Sequence, residues 1–157
     1  MKPLIVIIIV GIILGCSESK ETTSQERILH VFSLDTLRSK YPYSLTIITG
    51  HGIIRYSYQN EVDQSKNMTF IFDDEKQILQ FAGDKYMILN DDKLYLPQIK
   101  DYIFSFYHNS SEATDLTEPI IFNEEYGILG IGNSMAPNFI YLKEDNLEVS
   151  QLLNQKL

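Results

Sequence analysis

The sequence is poor in cysteine, tryptophan and clustered positive charge, and each shortage narrows the possible functions. Cys16 is the only cysteine, so the chain can form neither an internal disulfide nor a multi-cysteine metal site. Tryptophan is absent, and 13 Lys and Arg residues stand against 21 Asp and Glu, for a formal net charge of −8. Because no stretch gathers the basic residues into a patch, a nucleic-acid partner is not expected.

The single cysteine lies directly behind an apolar segment near the amino terminus. Lys2 supplies a positive charge, residues 4–14 are aliphatic or glycine, and Gly15 precedes Cys16. This order is typical of a cleaved export signal. As a helix the segment would rise only about 20 Å, short of the roughly 30 Å hydrocarbon core of a bilayer, so a stable transmembrane span is not expected. The alternative interpretation is an ordinary secretory signal in which Cys16 is incidental.

The stretch Ile13-Leu14-Gly15-Cys16 resembles the lipobox of bacterial lipoproteins. The resemblance implies that residues 1–15 are removed as a signal peptide and that Cys16 is acylated. Two or more acyl chains hold a protein stably on a membrane, at about 0.8 kcal/mol for each buried methylene. Ser17 stands where an aspartate would resemble an inner-membrane retention signal, so the outer membrane of the bacterial envelope is favoured. The later stretch Tyr126-Gly127-Ile128-Leu129 is similar to a strand of small flavobacterial envelope lipoproteins.

The rest of the chain divides into a tether and one domain. Residues 17–26 contain no apolar side chain, which predicts a flexible tether over residues 16–26. Residues 27–157 are enough for one domain with a hydrophobic core.

Alternation of apolar and polar residues dominates that domain. Ile54, Tyr56 and Tyr58, for example, alternate with polar side chains, as in half-buried strands. Turn residues recur every eight to twelve residues or so, which favours an antiparallel arrangement. We therefore expect a mainly β fold, an antiparallel meander sheet or a partly open barrel, with little helix. The predicted strands are Leu29–Phe32, Ser44–Thr49, Ile53–Asn60, Asn67–Phe72, Ile78–Ala82, Tyr86–Leu89, Lys93–Leu96, Tyr102–Tyr107, Ile120–Asn123, Gly127–Ile131 and Asn138–Lys143.

Two short helices and one long loop complete the prediction. Ser33 to Lys40 reads as a helix with Ser33 as its N-cap and Pro42 beyond its end. Asp145 to Leu153 predicts a C-terminal turn or two of helix. The polar stretch His108 to Glu118 predicts a surface loop, either functional or simply connecting, since long loops in compact domains often carry function.

The sharpest chemical motif is Gly132-Asn133-Ser134-Met135-Ala136-Pro137. It resembles the Ser-Met-x-Pro box of type I signal peptidases, which implies Ser134 as a nucleophile and a later lysine as its base. Such a lysine must be desolvated and within hydrogen-bond reach, and only Lys143 and Lys156 follow Ser134. The alternative interpretation is a turn between two strands.

Metal and cofactor chemistry has no clear motif. His30, His51 and His108 share no i, i+4 spacing, so they form a zinc site only if the fold brings them together; otherwise they are scattered histidines. No cofactor fingerprint is present, and no catalytic constellation is expected. The leading hypothesis is a non-catalytic, membrane-anchored binding or assembly module with an envelope protein as partner. Its alternatives are a carrier or sensor of a small apolar ligand, and a hydrolase using Ser134.

The carrier hypothesis can be checked against the packing of the fold. A curved sheet with aromatic faces can enclose a cavity. An interior filled by Phe70, Phe72, Phe104 and Phe106 would argue against it.

Overall fold

Eleven β-strands and one α-helix make up the part of the chain that the computed structural model describes, residues 20–110 and 117–157. The predicted signal peptide, Cys16 and residues 17–19 of the predicted tether lie outside the described residues, as does the middle of the loop 108–118. The elements are β1 (Glu21–Ser33), β2 (Thr36–Gly50), β3 (Ile53–Asn60), β4 (Met68–Asp73), β5 (Ile78–Phe81), β6 (Asp84–Met87), β7 (Lys93–Tyr95), β8 (Ile103–Asn109), β9 (Thr117–Asn123), β10 (Gly127–Asn133), β11 (Asn138–Leu142) and α1 (Leu147–Asn154), with short 3₁₀ turns at Gln64–Lys66 and Pro97–Ile99.

Ten of the strands close into an antiparallel barrel. The hydrogen-bonded order is β6-β5-β4-β3-β2-β1-β11-β10-β9-β8, and β8 returns to β6 through the pairs Tyr86↔Asn109 and Met87↔His108. The extra strand β7 pairs with the start of β8, on the same edge. The predicted mainly β, antiparallel fold is confirmed, and closure removes the open edges that a flat meander would leave.

Alternate side chains of the strands fill two separate cores. In β11, Tyr141 points into the barrel, while Ile140 and Leu142 point outward and are covered by α1. Phe70 and Phe72 belong to the interior cluster and are fully buried. Other members of the interior cluster are Leu29, Tyr43, Leu45, Tyr56, Tyr58, Leu79, Tyr107, Ile120, Phe122, Ile128 and Ile131.

The outer core explains why the helix is present. Its buried members include Phe104, Leu129 and the helix residues Val149 and Leu153, and the partly buried Phe106 packs against them. Asn146 caps α1 by accepting a hydrogen bond from the backbone N–H of Val149 at 3.1 Å. The predicted C-terminal helical turn is thus confirmed.

The predicted helix at Ser33–Lys40 is wrong. Residues from Thr36 onward belong to β2, and their backbone pairs with β1 through Val31↔Ser39 and Phe32↔Leu37. Pro42, the predicted helix stop, lies inside β2. It directly precedes Tyr43, which forms the last pair between β2 and β3, Tyr43↔Asn60. A missing N–H is tolerated there because β3 has already ended.

Strand β1 also begins earlier than the composition suggested. Glu21 pairs with Thr49 and Glu26 with Ser44, so residues 21–26, placed in the tether by their polarity, form half of a long hairpin. The remaining strand predictions overlap the observed strands, with ends that differ by a few residues. Among the described residues, no helix is long and apolar enough to cross a bilayer.

Candidate functional site

An apolar cleft of about 390 Å³ opens at one end of the barrel. Its walls come from β1, β2, β11 and the connection between β3 and β4. The lining combines inward-pointing strand side chains with exposed residues of the connection between β3 and β4: Leu29, Val31, Ser39, Tyr41, Tyr43, Ser65, Lys66, Asn67, Met68, Phe139 and Tyr141. We call it the apolar cleft below.

The strand register stacks these side chains in rows. Val31 lies between Ser39 of β2 and Phe139 of β11. One level deeper, Leu29 lies between Tyr41 and Tyr141. The next aromatic residue of β2 is Tyr43, whose ring packs edge-on against Tyr141 at 5.8 Å between centroids.

Burial increases from the rim of the apolar cleft to its floor. Tyr43 and Tyr141 are almost completely buried, at 2% and 0% exposure. Tyr41 and Phe139 are half-buried, and Lys66 is exposed. The opening therefore includes an exposed charged group, and the floor is aromatic and buried.

The cleft exists because two neighbouring strands of the barrel separate at this end. Strand β2 extends from Pro42 back to Thr36, whereas β3 ends at Asn60 and has no residues opposite that part of β2. After Asn60 the chain turns through the 3₁₀ segment Gln64–Lys66 before β4 begins. The Asn60 carboxamide holds this turn by accepting the backbone N–H groups of Val62 and Asp63. The Tyr43 hydroxyl donates to the Lys66 carbonyl at 3.1 Å and ties the turn to the cleft floor.

Lys66 supplies the only cationic side chain in the described lining of the apolar cleft. Its ammonium lies 4.3 Å from the centre of the Tyr41 ring. A hydrogen bond from Ser39, followed by the charge of Lys66, lowers the pKa of the Tyr41 hydroxyl. The rim thus carries one ammonium group above an apolar interior, with the Asp63 carboxylate 3.6 Å from that ammonium.

At the floor, the Tyr141 hydroxyl has a weak acceptor. It lies 3.7 Å from the thioether sulfur of Met68. Burial raises the pKa of Tyr141 well above its ordinary value, so the hydroxyl stays protonated and acts as a donor. Because a thioether sulfur is a weak acceptor, the Tyr141 hydroxyl can still donate a hydrogen bond to a stronger acceptor.

The opposite end of the barrel is closed by Arg27 and the turn between β9 and β10. The Arg27 side chain is buried, lies 4.4 Å from the Tyr126 ring centre, and donates from Nη2 to the Tyr126 carbonyl at 2.7 Å. The Tyr56 hydroxyl donates to the Glu124 carbonyl at 2.6 Å, and the N–H of Ile128 donates to the Tyr58 hydroxyl at 2.7 Å. These bonds fold the turn over the barrel end.

Outside this closed end lies a second cleft, of about 440 Å³. Glu21, Glu124 and Glu125 contribute to its lining, and the described lining contains no lysine or arginine. Burial, and next the charge of Asp74, raises the pKa of Glu124. Its lining is thus more acidic and less apolar than that of the apolar cleft.

The structure separates the two residues of the possible serine–lysine pair. Ser134 lies in the turn before β11 and Lys143 lies just after it, at opposite ends of a strand whose five residues span roughly 17 Å. The Lys143 ammonium donates instead to the Tyr102 hydroxyl at 2.8 Å. The interpretation of this motif as a turn between two strands is confirmed.

The three histidines lie in different parts of the barrel. His30 is buried on β1, and its Nε2 lies 2.9 Å from Oδ1 of Asp145, which also accepts from Lys40. His51 occupies the turn between β2 and β3, and His108 lies on β8. In residues 20–110 and 117–157, no three His, Cys, Asp or Glu side chains are grouped to hold a metal ion.

No protein-family model, curated protein or solved structure matches this chain, and its role is inferred from the cleft geometry.

Sequence reasoning did not find the apolar cleft. Its β2 wall fell within or beside the helix predicted at Ser33–Lys40. One signal was available: Ser39, Tyr41, Tyr43 and Leu45 alternate with polar residues and proline, which is a strand pattern that continues through Pro42. Nothing in the sequence distinguished Lys66 from other surface lysines.

Proposed function

We propose that this protein is a non-catalytic, lipid-anchored envelope protein that binds a small apolar ligand in the apolar cleft. The observation that carries this proposal is the combination of a buried aromatic floor with an open, polar rim. Ligand sites are commonly concave, mostly apolar and provided with a few polar groups that orient the ligand. The apolar cleft has each of these properties.

The volume of the cleft limits the size of the ligand. At about 30 Å³ for each non-hydrogen atom, the share of a water molecule in the liquid, 390 Å³ holds roughly a dozen such atoms. The middle of the barrel is occupied by side chains of the interior core, among them the fully buried Phe70 and Phe72. Phe104 and Phe106 belong to the outer core instead. Of the four phenylalanines whose presence in the interior would argue against a carrier, only Phe70 and Phe72 are therefore inside the barrel. A ligand therefore occupies the end of the barrel, not its whole length.

Binding of a neutral hydrophobic fluorophore to the mature domain tests the proposal. 1-Naphthylamine, with about a dozen non-hydrogen atoms, is within the size that the cleft allows. Its emission shifts to shorter wavelengths when it leaves water, so its titration gives an apparent Kd. The variant Ser39→Phe places a ring in the mouth of the cleft without removing a core residue, and strands accept aromatic residues well. Because this ring takes up space that the ligand would fill, we expect the variant to bind the fluorophore roughly tenfold more weakly or worse.

The control is Ser57→Phe, the same change on the outer face of β3. Ser57 is half-buried between Tyr56 and Tyr58, whose side chains point inward. We expect this variant to bind the fluorophore as the wild type does. Absence of binding by the wild-type domain, or equal weakening by both variants, would contradict the proposed site.

The lipid anchor is a separate part of the proposal and needs its own test. It is supported by the lipobox resemblance at Cys16 and by the polar segment that follows. Cells fed a palmitate analogue should label the wild-type protein and not Cys16→Ser. Equal labelling of both forms, or a mature amino terminus other than Cys16 by mass spectrometry, would refute the anchor without affecting the apolar cleft.

A further inference from the structure

Building on the proposed function, we propose that the ligand is an amphipathic anion, with its apolar chain in the apolar cleft and its head group on the ammonium of Lys66. The chemical class is that of medium-chain carboxylates. Decanoate, with about a dozen non-hydrogen atoms, fits the size that the volume allows.

The charge of the lining selects an anion. Lys66 contributes an ammonium, and the described lining residues include no aspartate or glutamate. This is notable in a chain with a formal net charge of −8, whose second cleft is lined by three glutamates. Of these two clefts, the apolar cleft is the one whose described lining offers a cationic side chain to an anionic head group.

The Lys66 ammonium is held beside the mouth and is paired only loosely with an acidic residue. Asp63 is its acidic neighbour, and their closest nitrogen–oxygen distance is 3.6 Å. The other carboxylate oxygen of Asp63 is engaged by the backbone N–H and the hydroxyl of Ser65, at 3.0 and 2.6 Å. A long, exposed pair of this kind contributes little and competes weakly with a ligand. The Tyr41 ring holds the ammonium beside the mouth through a cation–π contact.

Neutral hydrogen-bonding groups surround the same position. Ser39, Ser65 and Asn67 line the rim together with Lys66. The Ser65 hydroxyl already donates to Asp63, whereas the Asn67 carboxamide accepts from the Asn60 N–H through its oxygen and keeps its NH₂ group as a donor. A carboxylate has two oxygens to satisfy, and the Lys66 ammonium together with this amide donor can serve both. Below the rim the lining is aliphatic and aromatic, so the chain of the ligand is desolvated while its head group stays in contact with water.

The test compares decanoate with decanol, its neutral counterpart, by displacement of 1-naphthylamine from the mature domain. At low salt, the wild type should prefer decanoate about fivefold, the upper range for a charge pair this exposed. Lys66→Gln should abolish the preference and leave the affinity for decanol unchanged, which also shows that the variant is folded. Lys66→Arg should retain the preference.

Lys85→Gln is the matched control. Lys85 is exposed on β6 and does not line the apolar cleft, so this variant changes the net charge equally and should keep the full preference. Raising the salt concentration should reduce the preference, because exposed charges are screened.

The assignment of the head group to Lys66 would be overturned if decanoate and decanol displaced the fluorophore equally from the wild type, or if the preference for decanoate persisted in Lys66→Gln. Neither result would contradict the apolar binding site itself. If neither compound displaces the fluorophore, the ligand class is refuted; if the fluorophore itself fails to bind, the proposed function fails with it.

Discussion

Gly127→Ala should destabilise the barrel far more than a glycine substitution normally does. Gly127 has a φ of +87°, in the left-handed region, and begins β10 at the closed end of the barrel. A Cβ atom added there would lie 2.6 Å from the Tyr58 hydroxyl oxygen and 3.2 Å from Leu45. Both neighbours are fully buried, so neither can move without disturbing the interior core.

Two costs add at this position. The left-handed conformation costs an alanine about 1 kcal/mol. Displacing the Tyr58 ring overpacks the core and weakens its hydrogen bond from the Ile128 N–H, for about 2 kcal/mol more. The total of about 3 kcal/mol corresponds to a fall in Tm of roughly 10 °C for a domain of this size.

Urea unfolding of the mature domain, followed by tyrosine fluorescence, measures the loss. Gly83→Ala is the matched control: Gly83 has a φ of +95° but no atom within 4 Å of the added Cβ, so only the backbone cost of about 1 kcal/mol applies. The double variant Gly127→Ala with Tyr58→Phe should lose less stability than the sum of the single variants, because removing the hydroxyl relieves the clash. Equal losses in Gly127→Ala and Gly83→Ala would refute this reasoning.

Three further predictions concern the core, the helix cap and pH. Phe122 packs against three other aromatic rings at 5.1 to 5.5 Å between centroids, so Phe122→Ala should lower the free energy of unfolding by about 4 kcal/mol in urea titrations; a loss below about 1 kcal/mol would contradict its central place. Asn146→Ala should cost about 1 kcal/mol through loss of the α1 cap, whereas Asn146→Asp should keep it, and equal losses would exclude the capping role. Burial lowers the pKa of His30 from 6.5, so the folded state favours the neutral imidazole. The contribution of neutral His30 to the free energy of unfolding is complete above about pH 6.5 and is lost as the pH falls below that value. Unfolding at about pH 7.5 and about pH 5.5 should therefore show a smaller drop for His30→Gln than for the wild type or His51→Gln, and an unchanged drop would disprove the assignment.

The strands were predictable because their signal is local. Ile54, Tyr56 and Tyr58 alternate with polar residues, and the structure places the last two in the barrel interior. Turn signals between strands mark reversals of the chain in the same local way. Closure of the barrel was not predictable, since the pairing of Tyr86 with Asn109 joins residues far apart in sequence and leaves no periodic trace.

The errors arise where long-range pairing overrides a local signal. Ser33 and Pro42 resemble a helix cap and a helix stop, yet the backbone between them pairs with β1. Pairing of β1 residues 21–26 with β2 likewise turns a polar, tether-like stretch into a strand. Polarity predicts exposure correctly there, because most of these side chains face water, but it does not predict the backbone conformation.

The apolar cleft could not be predicted for the same reason. Leu29, Tyr41, Lys66 and Phe139 come from four segments that meet only when the barrel has closed. Each residue alone has an ordinary explanation, as a core side chain or a surface lysine. Only their common position at one end of the barrel indicates a binding site.

The direction of β1 relates this cleft to the proposed anchor. The strand enters at Glu21, at the closed end, and reaches the cleft at Leu29 and Val31. Eight to ten residues of strand, tilted as in a barrel, advance roughly 20 to 25 Å along the axis. Under the proposed acylation of Cys16, the anchor would precede the strand that starts at the closed end, and the mouth of the cleft would lie at the other end of the barrel. A ligand then exchanges through the surrounding water, which suits a short amphipathic anion that is soluble as a monomer better than a long membrane lipid.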